Sequence, residues 1–373
     1  MPAIFNSVAF LDPIETITAQ SFGEVTNILE FAEMRAHSGA YVLVMLSYEA
    51  APAFDSALCT QKPDDFPLAW VGVFSEPSDP IEIRSVVSSN PWLPKVTRDE
   101  YNECVARIRE LIAAGDTYQV NYSFRLTSSF TGDPLAWFHA LRGGQRAEYS
   151  AYLDLGRYKI LSLSPELFFE RHGDHVRTKP MKGTVQRGST DDEDAELARW
   201  LQNSIKNRAE NVMIVDLLRN DLGKVSVPGG VHVTSLFDLE RFETVWQMTS
   251  TVEATLKNGT SLVDLIGALF PCGSVTGAPK IRTMQIIREL ERFPRGAYTG
   301  TIGLLRPGGD CTFNVAIRTV VLDTDTNLAT CSVGGGITID STAEDEYQEC
   351  LVKSRFLHAG KDLPQALRRK GNT

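Results

Sequence analysis

The chain has 373 residues, 43% of them hydrophobic and 23% charged, and 37 basic against 47 acidic side chains leave a formal charge of −10. That composition excludes disorder, collagen-like repeats and a disulfide-stapled miniature domain, and leaves room for two domains or one large α/β unit. With no basic block, so acidic a chain also argues against a nucleic-acid binder, whose affinity rests on clustered Lys and Arg.

Six scattered cysteines form no Cys-x-x-Cys and pair with no histidine at zinc spacing, so free thiols in a reducing cytoplasm are expected. The opening MPAIFNSVAFLDPIE has neither a basic n-region nor an apolar h-region, and no secretory leader is expected. The longest apolar runs, such as residues 41–46, are far too short to cross a membrane.

In chain order, β-like runs at residues 41–46, 68–74 and 81–87 are separated by Pro-, Ser- and Asp-rich turns. The stretch SSNPWLP at 88–94 reads as a connector, which sets a β-rich N-terminal region (1–95) apart from a larger unit (96–373). A helix follows: Thr97 and Glu100 form a capping box, Tyr101, Val105, Ile108 and Ile112 recur at helical spacing, and Gly115 stands where a terminating glycine belongs.

Residues 117–126 alternate as a strand, with Tyr118, Val120, Tyr122, Phe124 and Leu126 on one face and Gln119, Asn121, Ser123 and Arg125 on the other. The apolar face belongs to a core; the polar face either lines a cavity or is solvated. Two β-meanders, at 151–184 and 302–337, each adjoin a helical stretch, 191–222 and 343–358, and further helices fit 261–269 and 280–291. This layout predicts two related α+β halves around one core.

Histidine carries little of the chemistry. His37, His139, His172, His175, His232 and His358 are dispersed, and the close pair His172/His175 flanks a Gly-Asp hairpin turn. Gly273-Ser-Val-Thr-Gly277-Ala-Pro-Lys280 fails the spacing of a phosphate loop and is left as a glycine-rich turn with Thr276 exposed on it. Gly334-Gly335-Gly336 is a second such turn, able to bring backbone N–H groups close to an anion.

The acidic residues are more informative. Glu210 lies within a helix, and Glu346 and Glu349, three apart, share one helix face. Carboxylates from two helices are what Mg²⁺ recruits, although acidic helix faces are also simply solvated. Lys182, in a Pro/Gly-bracketed turn, is either a surface lysine or a nucleophile. Glu166 enters an aromatic strand, where burial would raise its pKa and make it an acid.

Gly115-Asp-x-Tyr118-Gln-Val-Asn121, Ser164-Pro-Glu-Leu-Phe168, Pro180-Met-Lys-Gly-Thr184, Arg208-Ala-Glu210, Asp216-Leu-Leu-Arg-Asn-Asp221-Leu, Gly273 to Lys280, Ile317-Arg-Thr319, Gly334-Gly-Gly-Ile337 and Glu346-Tyr-Gln-Glu349 occur in this order. Together, over roughly residues 95–360, they resemble the chorismate-binding enzyme family, which includes anthranilate, aminodeoxychorismate, isochorismate and salicylate synthases. Leu46-Ser-Tyr-Glu-Ala-Ala-Pro-Ala-Phe54 resembles the short N-terminal region of compact aminodeoxychorismate synthases. The fold implied is α+β, with large antiparallel sheets in a sandwich-like core and helices packed outside.

Two positions sort the chemistry within the family. Isochorismate and salicylate synthases carry a water-activating lysine where this chain has Gln119, and an amide has no basic lone pair for that task. Anthranilate synthases typically have alanine where this chain has Lys182, and a lysine there resembles the aminodeoxychorismate-forming members of the family.

The resemblance then implies amination of chorismate at C4 through covalent catalysis by Lys182, with Glu166 as acid. Glu210 and Glu349 are implied as ligands of Mg²⁺, Glu346 as their support, and Arg318, Tyr298 and the Gly334, Gly335 and Gly336 backbone as carboxylate binders. Gly183, Thr184 and Thr276 are implied to line the pocket. No glutaminase signature is seen in the sequence, so ammonia is expected from solution or from a separate glutamine amidotransferase subunit, with a separate lyase needed for 4-aminobenzoate. Alternatives are an anthranilate synthase and a catalytically silent ligand-binding or regulatory homologue. Gln247 stands where many members have histidine, Asn207 where an acid is common, and Met181 replaces isoleucine.

Overall fold

A computed structural model describes residues 1–79, 88–89, 91–143, 147–242 and 245–358; the run expected at 81–87 lies outside them. The elements begin with β1 (Ala3–Phe5), β2 (Val8–Phe10), β3 (Glu15–Ala19), α1 (Phe22–His37), β4 (Tyr41–Leu46) and β5 (Ala69–Phe74). Short β6 (Ser88–Ser89) and β7 (Leu93–Pro94) precede α2 (Arg98–Ala113), β8 (Gln119–Thr131) and α3 (Pro134–Gly143). Next come β9 (Tyr149–Asp154), β10 (Tyr158–Ser164), β11 (Leu167–His172), β12 (His175–Lys179) and β13 (Met181–Gln186), then α4 (Asp191–Asn203) and α5 (Ile205–Gly223). A long hairpin, β14 (Ser226–Arg241) and β15 (Val245–Leu256), leads to α6 (Leu262–Leu269), β16 (Gly277–Ala278) and α7 (Lys280–Leu290). The chain closes with β17 (Thr301–Leu305), β18 (Cys311–Val315), β19 (Thr319–Asp323), β20 (Leu328–Ile337) and α8 (Ala343–Lys353).

Among the described residues these strands form two ten-stranded sheets. One runs β16-β8-β20-β19-β10-β9-β1-β2 with β6 and β7 also on β8, the other β13-β15-β12-β11-β18-β17-β4-β5-β3 with β14 on β15. Strands from residues 1–95 are hydrogen-bonded into both sheets, β1 to β9 and β4 to β17.

Side-chain alternation explains the sandwich. On β4, Leu43 and Met45 point between the sheets with Phe5, Phe10, Trp70, Phe74 and Ile302, whereas Val42, Val44 and Leu46 face α1 and its neighbours. Burial on both faces makes 41–46 read as an unbroken apolar run, and each such side chain gains roughly 1.5–3 kcal/mol on burial. On the other sheet, β8, β10 and β20 pack outward against α2, α3, α7 and α8 through Tyr101, Ile108, Phe138, Ile286 and Cys350. The six cysteines are unpaired.

The capping box at Thr97/Glu100 and the left-handed Gly115 (φ 85°) bracket α2 as the sequence leads one to expect. The stretch 191–222 is two helices, because Ser204 ends α4 and its hydroxyl caps α5. Neither meander stays within one sheet. The first passes from β10 in one sheet to β11 in the other at Pro165–Glu166, and the second from β18 back to β19 at Ala316–Arg318.

A buried ion pair sets the wall beyond β8. Arg295 binds Glu291 (2.7 Å), the Asn121 and Val275 carbonyls (2.7 and 2.9 Å), and lies over the Tyr48 ring. Glu291 in turn accepts from the Ser123 N–H and hydroxyl (2.8 and 2.9 Å), and Glu49 accepts from the Arg295 and Gly296 N–H groups. A charge so deep persists because every oxygen and nitrogen is spoken for.

Candidate active site

Where β8 and β20 face β13 and β15, the space between the sheets changes from apolar to polar and opens into a cavity of about 560 Å³. The polar face of β8 is therefore neither solvated nor idle. Gln119, Asn121 and Ser123 are all buried, and Asn121 lines the cavity.

The two sheet crossings lie side by side. The Val315 N–H donates to the Glu166 carbonyl (3.1 Å), the Leu163 N–H to the Arg318 carbonyl (3.0 Å), and the Ser164 hydroxyl to the Val315 carbonyl (2.6 Å). Glu166 and Arg318 thus enter the same cavity from paired crossovers, Arg318 with a left-handed backbone (φ 49°). Burial pushes the Glu166 carboxyl up to about 7, against the Ser274 hydroxyl that donates to its Oε1 at 2.8 Å. Burial also lowers the Arg318 guanidinium and raises the Tyr298 phenol, which lines the same space.

Lys182 comes from β13. Gly183 beside it has φ 99°, and a Cβ there would stand 3.2 Å from Asn207, so a glycine lets β13 pass close to α5. Gln247 on β15 holds this strand from across the register: its Nε2 donates to the Gly183 carbonyl (2.8 Å), and its Oε1 accepts from the Thr184 hydroxyl (2.7 Å). A neutral imidazole could serve both contacts only with one particular tautomer; the amide serves them with no proton to place. The Lys182 Nζ lies 3.5 Å from Glu210 Oε2 on α5.

The glycines of β20 make room for both Lys182 and Gln119. A Cβ on Gly336 would come within 2.6 Å of Lys182 Nζ and 2.9 Å of Gln119 Nε2. Gln119 is fully buried with neither amide atom hydrogen-bonded, a costly arrangement that a polar ligand or water would relieve. Lys353 on α8 donates to the Gly334 carbonyl (2.9 Å) and pairs with Glu349 (2.8 Å).

Glu346 accepts from the Ser341 hydroxyl (2.6 Å), and burial together with the neighbouring Glu349 raises its carboxyl. Lys353 lowers that of Glu349. Glu210, Glu346 and Glu349 all line the cavity, an oxygen-only donor set of the kind Mg²⁺ takes. Lys182 and Lys353 lie against two of these carboxylates, and among the described residues no three acidic or imidazole side chains converge on one point. The carboxylates fit a hard cation in type and in facing one cavity.

Of the residues singled out from the sequence, Glu166, Lys182, Gly183, Thr184, Glu210, Tyr298, Arg318, Gly334, Gly336, Glu346 and Glu349 line this one cavity. Two do not. Thr276 is fully buried rather than exposed, its hydroxyl turned onto the Cys272 and Gly273 carbonyls, because its turn is clamped against β8 by the Asn121 N–H. Gly335 faces Glu346 from behind, as alternation along β20 requires. Lys280 is spent on Asp221 (2.8 Å) and the Leu269 carbonyl. Sequence reasoning assigned no role to Ser274, Lys353 or Trp200, which also line the cavity; helical spacing from Glu349 is the one signal that would have found Lys353.

Residues 4–359 match the chorismate binding enzyme family. The chain belongs to that family. It is 45% identical over 271 residues to aminodeoxychorismate synthase component 1 of Salmonella typhimurium, covering 72% of this chain and 59% of that protein. It is also 44% identical over 261 residues to an anthranilate synthase component 1 of Haloarcula marismortui, covering 70% and 53%. The chain thus spans about three-fifths of the length of the curated relatives it matches first. Among solved structures, anthranilate synthase component I from Streptococcus pneumoniae superimposes with a TM-score of 0.82 at 26% identity, over 96% of this chain and 92% of that one. The α+β sandwich with outer helices is the fold the sequence leads one to expect.

Proposed function

We propose that this protein converts chorismate and ammonia to 4-amino-4-deoxychorismate, the precursor of 4-aminobenzoate and folate. The observation that carries this reading is the placement of a lysine amine, Lys182, and a buried carboxyl poised near neutrality, Glu166, on one cavity of about 560 Å³. That volume suits a ligand of chorismate's size. Overall identity does not choose between aminodeoxychorismate and anthranilate synthases, since relatives of both names stand at 44–45%. Lys182 supports the first, because it supplies a nucleophile where anthranilate synthases typically have alanine.

In the proposed reaction Arg318, Tyr298 and the Gly334 and Gly336 backbone receive the substrate carboxylates, with Gly183 and Thr184 alongside. Glu210 and Glu349 would hold Mg²⁺, with Glu346 in support; when bound, the ion neutralises the ring carboxylate and withdraws electron density from the ring. The neutral Lys182 amine forms a bond to C2, both ring double bonds shift along the conjugated system, and the C4 hydroxyl leaves as water with the proton of Glu166. Ammonia then bonds to C4, both double bonds return to their original positions, and the C2–N bond to Lys182 breaks. The Glu166 carboxylate takes the surplus proton of the new ammonium group. Two allylic displacements replace one poor one.

Ammonia would come from a separate glutamine amidotransferase subunit or from solution, and the cytoplasm is the compartment such chemistry fits. Lys182→Ala tests the reading: aminodeoxychorismate formation falls by roughly a thousandfold or more if the amine is the nucleophile. Near-normal turnover in that variant would remove the covalent route. A protein that binds chorismate without turning it over would leave substrate intact in the wild type as well.

A further inference from the structure

Behind Glu166 stands a short hydrogen-bond chain that the reaction above does not use. The Ser274 Oγ lies 2.8 Å from Glu166 Oε1 and 3.3 Å from the Cys272 Sγ. A hydroxyl has one proton to give. Spent on Glu166, it leaves the Ser274 oxygen as acceptor, so the Cys272 thiol must be the donor at the far end. The thiol is suited to that: burial and the nearby Glu166 push it up to about 12, so it remains S–H throughout the neutral range. The order is then Cys272 S–H to Ser274, and Ser274 O–H to Glu166 Oε1.

The direction of this chain has a consequence for the acid. The better acceptor of a protonated carboxyl is its carbonyl oxygen, so Oε1 takes the Ser274 hydrogen bond and the proton resides on Oε2. We propose that Ser274, itself oriented by Cys272, is a positioning residue that fixes the acidic proton of Glu166 on Oε2 and aims it at the leaving hydroxyl of the substrate. This rests on the reading of Glu166 as the acid.

The other groups facing Glu166 are Lys182 from β13 and Lys353 from α8, which both lower its carboxyl, and Arg318 at the neighbouring sheet crossing. Lys182 and Lys353 act on Glu166 through their charge, so replacing Ser274 removes its hydroxyl bond and leaves both lysines in place.

The 373-residue chain is assayed with chorismate, Mg²⁺ and free ammonia held saturating across pH 6–9. Removing the hydroxyl removes a bond that favours the ionised carboxylate, so Glu166 keeps its proton to higher pH. In Ser274→Ala the alkaline limb of kcat therefore moves up by about half a pH unit or more, kcat at its optimum falls about tenfold, and KM changes less than about twofold. Ser274→Thr restores both kcat and limb. Cys272→Ala moves the limb in the same direction by less, and Cys272→Ser, which keeps a donor, brings it back.

A Ser274→Ala enzyme with the wild-type limb, whether or not kcat drops, overturns the proposal, because a merely structural loss does not move a titration. Glu166→Gln separates the two failures. If it is inactive while Ser274→Ala is normal, only the positioning role falls; if it is active, the acid itself has been misassigned.

Discussion

The Lys182 amine and the Glu210 carboxylate lie 3.5 Å apart, one from β13 and the other from α5, with only about a sixth of each side chain exposed. The nucleophile and the metal ion of the proposed reaction therefore compete for the same carboxylate. A cation held at Glu210 would draw that carboxylate's charge away from Lys182 and release the amine from the ion pair.

From this relationship, Glu210→Gln raises the Mg²⁺ concentration needed for half-maximal turnover by at least about tenfold, and Glu349→Gln does the same from α8. A Mg²⁺ titration of activity checks both. An unchanged midpoint in either variant would mean that the metal lies elsewhere.

Lys182→Arg is expected to be as inactive as Lys182→Ala, although it keeps the positive charge. A guanidinium remains protonated and is no nucleophile. Product formation followed by mass spectrometry distinguishes this from a purely electrostatic role, for which arginine would suffice.

Glu166 gives a stability prediction with a definite sign. Its folded pKa, about 7, lies above the unfolded value near 4.5, so the protonated form is the one the fold accommodates. The contribution is fully favourable below pH 4.5 and is lost as pH rises through 7. Glu166→Gln, which keeps an acceptor for Ser274, is thus no more stable than wild type at pH 4.5 but more stable by about 3 kcal/mol above pH 8. Urea unfolding at the two pH values measures this difference. Equal shifts at both would place the effect in packing rather than in ionisation.

Gln247→Ala cuts the bridge from β15 to Gly183 and Thr184. It costs about 1–2 kcal/mol of stability and lets the Lys182 strand move, so kcat falls more than KM rises. Gln247→His recovers part of both, in denaturant melts and steady-state assays alike.

Much of the fold, and most of the residues that line the candidate cavity, were legible in the sequence. The capping box at Thr97 and most of the period-two run at 117–126 carried their structural meaning locally, although β8 begins at Gln119 and Tyr118 is exposed; Gly334-Gly335-Gly336, which reads as a turn, lies instead within β20. Thr276 was misjudged because a glycine-rich turn reads as surface, whereas here the Asn121 N–H pins it against β8. The polar face of β8 was ambiguous for a related reason: solvent and a buried cavity both select Gln, Asn and Ser, and only the opposing sheet distinguishes them. The crossings at Glu166 and Arg318 could not be read from either segment alone, since each is defined by pairing with the other across about 150 residues. The role of Ser274 was hidden similarly, its partner Glu166 being remote in sequence.

The most direct test of the account is the identity of the product. Purified protein is incubated with chorismate, Mg²⁺ and ammonium at alkaline pH, and the products are resolved by mass spectrometry with and without aminodeoxychorismate lyase. The account predicts a product that the lyase converts to 4-aminobenzoate, absent in Lys182→Ala. Anthranilate and pyruvate formed without the lyase would contradict it, for Lys182 would then not direct amination to C4.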